Sequence, residues 1–195
     1  MERVSSVSRK TKETDIKITI NLDGVGNANV STGIGFFDHM LGSFARHGLF
    51  DLEVSVKGDL EVDSHHTIED TGIVLGQAIK EAVGDKKKIK RFGECMLPMD
   101  ETLVLCAIDL SGRPYLKYSL KLTVPKVGDF DTEMVHEFFY ALSYSAGMNL
   151  HIKMLDGVNN HHIIEAAFKA FAKALDRALE YDERIADVLS TKGSL

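Results

Sequence analysis

The pattern His-His-x-x-Glu occurs twice, as His65-His66-Thr67-Ile68-Glu69 and as His161-His162-Ile163-Ile164-Glu165. Each copy follows capping residues, Asp63-Ser64 in one and Asn159-Asn160 in the other, so each is predicted to open a helix. On a helix, residues four apart share a face, whereas adjacent residues diverge by about 100°. His65 and Glu69 can therefore close on one metal ion while His66 reaches for another. His161, Glu165 and His162 repeat the arrangement.

The repetition extends to the surrounding chain. An offset of 96 residues separates His65 from His161 and Glu69 from Glu165, and one of 97 separates His39 from His136. Alternation over 14–22 and the run 27–32, around Asp23-Gly24, predict a hairpin. The spacing of Phe36, Met40, Leu41 and Phe44 predicts a helix, 50–56 a strand, and Ile68, Leu75, Ile79 and Ala82 a second helix. The second half offers strands over 94–99, 102–110 and 113–120, a helix over 133–146, a strand over 149–154, and a helix from His161 to about Tyr181. The expected fold class is α+β. Two ββαβα half-domains, with room for an additional strand in the second, carry helices on one face of each sheet and fuse into one body. The single domain, 1–195, divides into repeats of about 1–90 and about 91–181, followed by a polar tail, 182–195, of a kind that is usually disordered.

A net charge of −6 and a pI near 5.7 argue against nucleic acid or an anionic membrane as the main partner. No stretch approaches the length of a membrane span, and the polar N-terminus lacks a signal-peptide core. Cys95 and Cys106 read as buried reduced thiols. These features together predict a cytoplasmic protein.

The two cassettes supply four histidines and two glutamates, and His39 and His136 raise the set to eight groups. Divided between two ions, that is three imidazoles and one carboxylate each. A six-coordinate ion so held keeps positions for substrate, which suits catalysis better than scaffolding. Nitrogen and oxygen donors without thiolates suit manganese, iron or zinc, with Mn2+ modestly favoured. His47, at a helix end, and His151, in a strand, lack such companions and read as structural. A metal buffer or sensor would use the same eight ligands. A dimetal phosphohydrolase fits less well, because such sites rely on bridging carboxylates.

The chain resembles the imidazoleglycerol-phosphate dehydratase family along nearly its whole length. The likeness runs through Thr11-Lys12-Glu13-Thr14, through Gly33 to Leu41, and from Gly58-Asp59 into the first cassette. It continues in Arg91-Phe92-Gly93, Pro98-Met99-Asp100-Glu101, Asp109 to Pro114, Asn160 to Lys169, and Ser190-Thr191-Lys192-Gly193. The resemblance implies a hydro-lyase of histidine biosynthesis that converts imidazole glycerol phosphate to imidazole acetol phosphate. The proton to be lost is not next to a carbonyl, so its acidity must come from the imidazole ring, held by two Mn2+ per active site as an imidazolate.

The same resemblance implies metal ligation by His39, His65, His66, Glu69, His136, His161, His162 and Glu165. Glu13 matches an acid that contacts substrate and is the candidate catalytic residue. Substrate contacts by His39, His47, His65, His66 and Glu69 are implied as well, with Arg91, Arg113, Lys169, Ser190 and Lys192 meeting the phosphate. The implied assembly is a homo-oligomer of 24 subunits built from trimers, with sites at subunit contacts.

Overall fold

The computed structural model describes residues 3–195. The first half contains β1 (Val4–Lys10), β2 (Thr14–Asn21), β3 (Ala28–Ser31), α1 (Gly35–Gly48), β4 (Asp51–Gly58) and α2 (His65–Val83). The second contains β5 (Phe92–Met99), β6 (Thr102–Asp109) and β7 (Tyr115–Ser119). It continues with the two-residue strands β8 (Lys126–Val127) and β9 (Phe130–Asp131), then α3 (Met134–Ala146), β10 (Asn149–Asp156) and α4 (Asn160–Leu179). The sheets have matching orders, β1-β2-β4-β3 and β5-β6-β10-β7. In each, two antiparallel pairings are followed by one parallel pairing at the edge. The duplicated α+β architecture is thus present, with one strand more in each four-stranded sheet than the bare ββαβα unit supplies and the short β8–β9 pair besides.

One local expectation is corrected, and one strand is added to those read from the sequence. The run 27–32 does not form a hairpin with β2; β3 instead pairs parallel with β4, at the other side of the sheet. A parallel pair needs a crossover, and α1 supplies it. The intervening segment is tied down by Asp51, whose carboxylate accepts the backbone N–H groups of Val25 (3.1 Å) and Asn27 (2.9 Å). Strand β1 escaped the periodicity reading because its inward positions are Ser5 and Val7, too little apolar character to register.

Strands alternate between buried and exposed positions, so each sheet covers the core with one face only. The helices fill the space between the sheets. α2 lies on β1 and β2 and against α3, while α4 lies on β5 and β6 and against α1. Each helix–helix contact therefore joins the two halves. Phe44 stacks on Phe171 (5.5 Å between ring centroids) and Phe138 on Phe168 (5.1 Å), all four buried. The α2–α3 approach depends on Gly72 and Gly76. A Cβ at these positions would stand 2.7 Å from the Phe138 carbonyl oxygen and 2.5 Å from that of Leu142, both backbone atoms that cannot swing aside. Both cysteines are free and buried. Among the described residues, no helix is long and apolar enough to cross a membrane.

Candidate active site

At the start of α4, the Asn159 side-chain oxygen accepts the N–H groups of His161 (2.9 Å) and His162 (3.4 Å), satisfying donors that a helix N-terminus leaves open. Asn160 fastens the same turn to Thr123 through two hydrogen bonds, of 2.7 and 3.0 Å. With the turn fixed, His161 and Glu165 share a face, and His161 Nε2 stands 3.0 Å from Glu165 Oε2. The α1–α4 contact brings His39 Nε2 to 3.5 Å from that same oxygen. His39 thus joins the cassette of the other half, a pairing invisible in the linear spacing.

His39, His161 and Glu165 place one ligand atom each within 4.8 Å of one another and can hold a divalent metal ion; among the described residues no other three-ligand group does so. Two imidazole nitrogens and a carboxylate oxygen, with no thiolate, suit an ion that prefers nitrogen and oxygen donors. Glu165 is only 7% exposed. Burial opposes its ionisation, but the hydrogen bond from Lys169 (2.7 Å) and that cation's charge, with His161 and His39, outweigh it and hold the carboxyl below its ordinary range.

The start of α2 is built differently. Asp63 accepts the His65 N–H at 2.8 Å, whereas the Ser64 hydroxyl donates to Asp131 at 3.2 Å. His65 Nε2 lies 3.5 Å from Glu69 Oε2, the same pairing as in the second cassette. In both cassettes the second histidine is held at Nδ1. For His66 the partner is Asp59 (3.0 and 3.2 Å), and for His162 it is Glu101 (2.8 Å). Glu13 Oε1 lies 3.9 Å from the opposite edge of His66, at Nε2.

Hydrogen bonds to Asp59 and Glu101 raise the pKa values of His66 and His162, and the His162 bond, with the Asn159 amide, pulls Glu101 down to about 2. Raised histidine pKa values mean that, without metal, these pairs stabilise the fold in full below the ordinary value near 6.5; that contribution fades as pH rises through the raised values. A metal needs the deprotonated ring and so has the opposite dependence. Divalent-metal affinity is expected to climb between about pH 6 and pH 8, while the contribution of these pairs to the melting temperature of metal-free protein declines over the same rise. Parallel titrations and melts across that range check it.

Other anticipated residues lie elsewhere. His136, on α3, points Nδ1 at Glu137 (2.8 Å) and stacks on Tyr140, and is not brought into either cassette. His47 is exposed on the last turn of α1; desolvation, then the charges of Lys169 and Lys173, lowers its pKa. Lys169 belongs with Glu165 at the metal end. Arg91, Arg113, Ser190 and Lys192 instead line one cavity of about 710 Å3, together with Arg184 and most of the tail beyond it. The Arg91 guanidinium is clamped by Asp109 through two bonds (2.7 and 3.1 Å) and donates to the Leu189 carbonyl (2.7 Å). The tail is thereby folded against its own chain. Asp59, Glu101 and Asp109 lie in the motifs that carry the family resemblance, but the sequence gives them no functional role; Arg184 reads there as an ordinary surface charge.

Comparison with known proteins matches the imidazoleglycerol-phosphate dehydratase family model over residues 32–175. A relative in Lachnoclostridium phytofermentans, an imidazoleglycerol-phosphate dehydratase, is 69% identical with both chains fully covered. One of the same description in Acetivibrio thermocellus is 62% identical, again over the full length of both. The crystal structure of imidazoleglycerol-phosphate dehydratase from Staphylococcus aureus superposes with a TM-score of 0.83 at 42% identity, covering 92% of this chain and 99% of that one. The enzyme from Pyrococcus furiosus gives 0.83 at 38% identity, covering 97% and 100%. By its fold, its metal-ligand cluster and its sequence, the chain belongs to the imidazoleglycerol-phosphate dehydratase family of hydro-lyases.

Proposed function

We propose that the chain removes water from imidazole glycerol phosphate to give imidazole acetol phosphate, using two Mn2+ per active site, as a cytoplasmic enzyme of histidine biosynthesis. The observation that carries this reading is the convergence of His39, His161 and Glu165 from two halves of the chain on one point. By the pseudo-twofold relation, α3 packs on α2 as α1 packs on α4. His136 would then complete a second set with His65 and Glu69, while His66 and His162 present Nε2 to ions held by other copies. The catalytic unit would be the single domain 1–195, both repeats and the tail included.

Bound Mn2+ would supply the Lewis acidity that lets the substrate's imidazole ring give up its N–H proton and accept electrons. The chain's own groups do the rest. Net loss of water takes a proton from carbon and delivers one to the departing hydroxyl, and Glu13, beside His66 Nε2, is the carboxylate placed to carry such a proton. Arg91, Arg113 and Lys192 provide charge for the phosphate, and Ser190 a hydroxyl donor. A metal store has no use for that cationic cavity.

Within one chain the two ends are far apart. Arg91 is anchored at the far end of α4, its N–H donating to the Ala178 carbonyl at 2.9 Å. Glu165 lies thirteen residues earlier, about 20 Å along the helix axis. The substrate, an imidazole and a phosphate joined by a three-carbon chain, spans roughly 8 Å from standard bond lengths. The metal end of one copy must therefore meet the phosphate cavity of another, which supports a homo-oligomer, proposed as 24 subunits built from trimers. The outer face of the second sheet, with exposed Phe92, Met96, Tyr115 and Leu155, offers apolar contact area for it.

Metal-stripped protein should be inert toward imidazole glycerol phosphate and regain water loss when Mn2+ is restored. Full activity after stripping, or none after reloading, overturns the proposal.

A further inference from the structure

We propose that Glu101 and Asp59 are positioning residues that set the ring orientation of His162 and His66. In this view the repeat-related glutamates Glu13 and Glu101 have divided the labour, one facing the reacting groups and the other holding a ligand. The proposal rests on the metal reading given above.

Glu13 directly precedes Thr14, the first residue of β2, and Glu101 directly precedes Thr102, the first residue of β6. These strands hold the second place in sheets of matching order, and both threonines are buried. The two glutamates are therefore mates in the duplication, each at the tip of the first hairpin of its half. Each reaches the second histidine of its own cassette, but at opposite edges of the ring. Glu101 Oε2 meets His162 Nδ1 at 2.8 Å, whereas Glu13 Oε1 stands 3.9 Å from His66 Nε2.

The difference traces to the end of the third-placed strand. Asp59 follows β4 directly and takes His66 Nδ1, and its backbone N–H is tied to the Glu13 carbonyl at 3.1 Å. Gly157 stands opposite Thr102 as Gly58 stands opposite Thr14, so the residue in the place of Asp59 is Val158, whose apolar side chain has no acceptor to offer. In the second half the hairpin glutamate holds the ring at Nδ1, and its neighbour Asp100, 3.9 Å from Nε2, stands on the side that Glu13 takes in the first. In the first half Asp59 holds the ring at Nδ1, leaving Glu13 free on the Nε2 side, where a ligand would stand.

Glu101 is also anchored. Its Oε1 accepts the N–H groups of Asn159 (2.8 Å) and Val158 (3.2 Å), so one carboxylate joins the His162 ring to the loop that caps α4. A carboxylate on Nδ1–H fixes the tautomer that leaves the Nε2 lone pair for metal, and losing such a partner typically weakens metal binding about 10–100-fold.

The test titrates Mn2+ into metal-stripped protein, following the free ion by electron paramagnetic resonance, with metal-free melting temperature and turnover at saturating Mn2+ read alongside. Glu101→Gln has a single acceptor oxygen for two sets of donors and must release either the ring or the loop. Its Mn2+ affinity should fall roughly 10–100-fold, with much of the turnover recovered once metal saturates. Asp59 turns both oxygens toward one nitrogen, so Asp59→Asn should cost less than Asp59→Ala, which tests the same role should Glu101→Gln fold poorly. Glu13→Gln should do the converse, keeping metal affinity and losing turnover that extra Mn2+ does not restore. Wild-type Mn2+ affinity in Glu101→Gln and Asp59→Ala, or a lowered metal-free melting temperature as their only change, overturns the proposal. Wild-type protein that binds no Mn2+ is a different result, because it overturns the metal reading itself.

Discussion

His161→Ala is expected to lower the dehydration rate by at least about a thousandfold, since Lewis-acid stabilisation by a bound ion is worth several kcal/mol and each 1.4 kcal/mol is a factor of ten. His161 shares the Glu165 oxygen with His39, so its removal opens one side of the only three-ligand cluster among the described residues. Metal content measured on the purified protein should fall with activity. The fold should survive, because the His161 ring is partly exposed and its main apolar contact is an edge-on approach to Phe36, 5.1 Å between centroids. A fully metallated, active His161→Ala protein would mean that the histidine-rich helix starts serve some other purpose.

The features legible in the sequence are those that local physics encodes. Both His-His-x-x-Glu runs open helices because Asp63 and Asn159 cap them and the apolar residues that follow keep a helical period. The duplication was readable because ligand spacing survives even where the connecting residues have diverged. Sheet order was not, since nothing in 27–32 says whether its partner is β2 or β4; the pairing is decided by where α1 can pack. The union of His39 with His161 and Glu165 is likewise tertiary, created by one half's helix lying on the other's. Asp59 and Glu101 escaped notice for a chemical reason. An acid in a turn looks like any solvated charge until a particular ring nitrogen stands at its oxygen; both lie in motifs that carry the family resemblance, but those motifs attach no role to them.

Mixing two inactive variants should restore activity. Take His161→Ala, which damages the metal end, and Arg113→Ala/Lys192→Ala, which removes two of the cations lining the cavity at the tail while leaving the clamped Arg91–Asp109 pair intact. Each alone should be nearly inactive, the second mainly through a raised substrate requirement at first and lost turnover at ordinary substrate levels. If a site draws its metal ligands from one copy and its phosphate cations from another, co-assembled chains form some sites from two undamaged ends. For random, equal mixing in a symmetric assembly, about one quarter of the sites are intact. If instead each chain builds a whole site, every site carries one lesion or the other, and mixing gains nothing. The roughly 20 Å between Glu165 and the Arg91 anchor along α4 demands the first outcome. Separately purified oligomers combined without exchange should stay inactive, while the same chains co-expressed, or dissociated by metal removal and reassembled with Mn2+, should recover. Recovery absent after demonstrated subunit exchange would place the entire site within a single chain and require the tail to swing across the length of the helix.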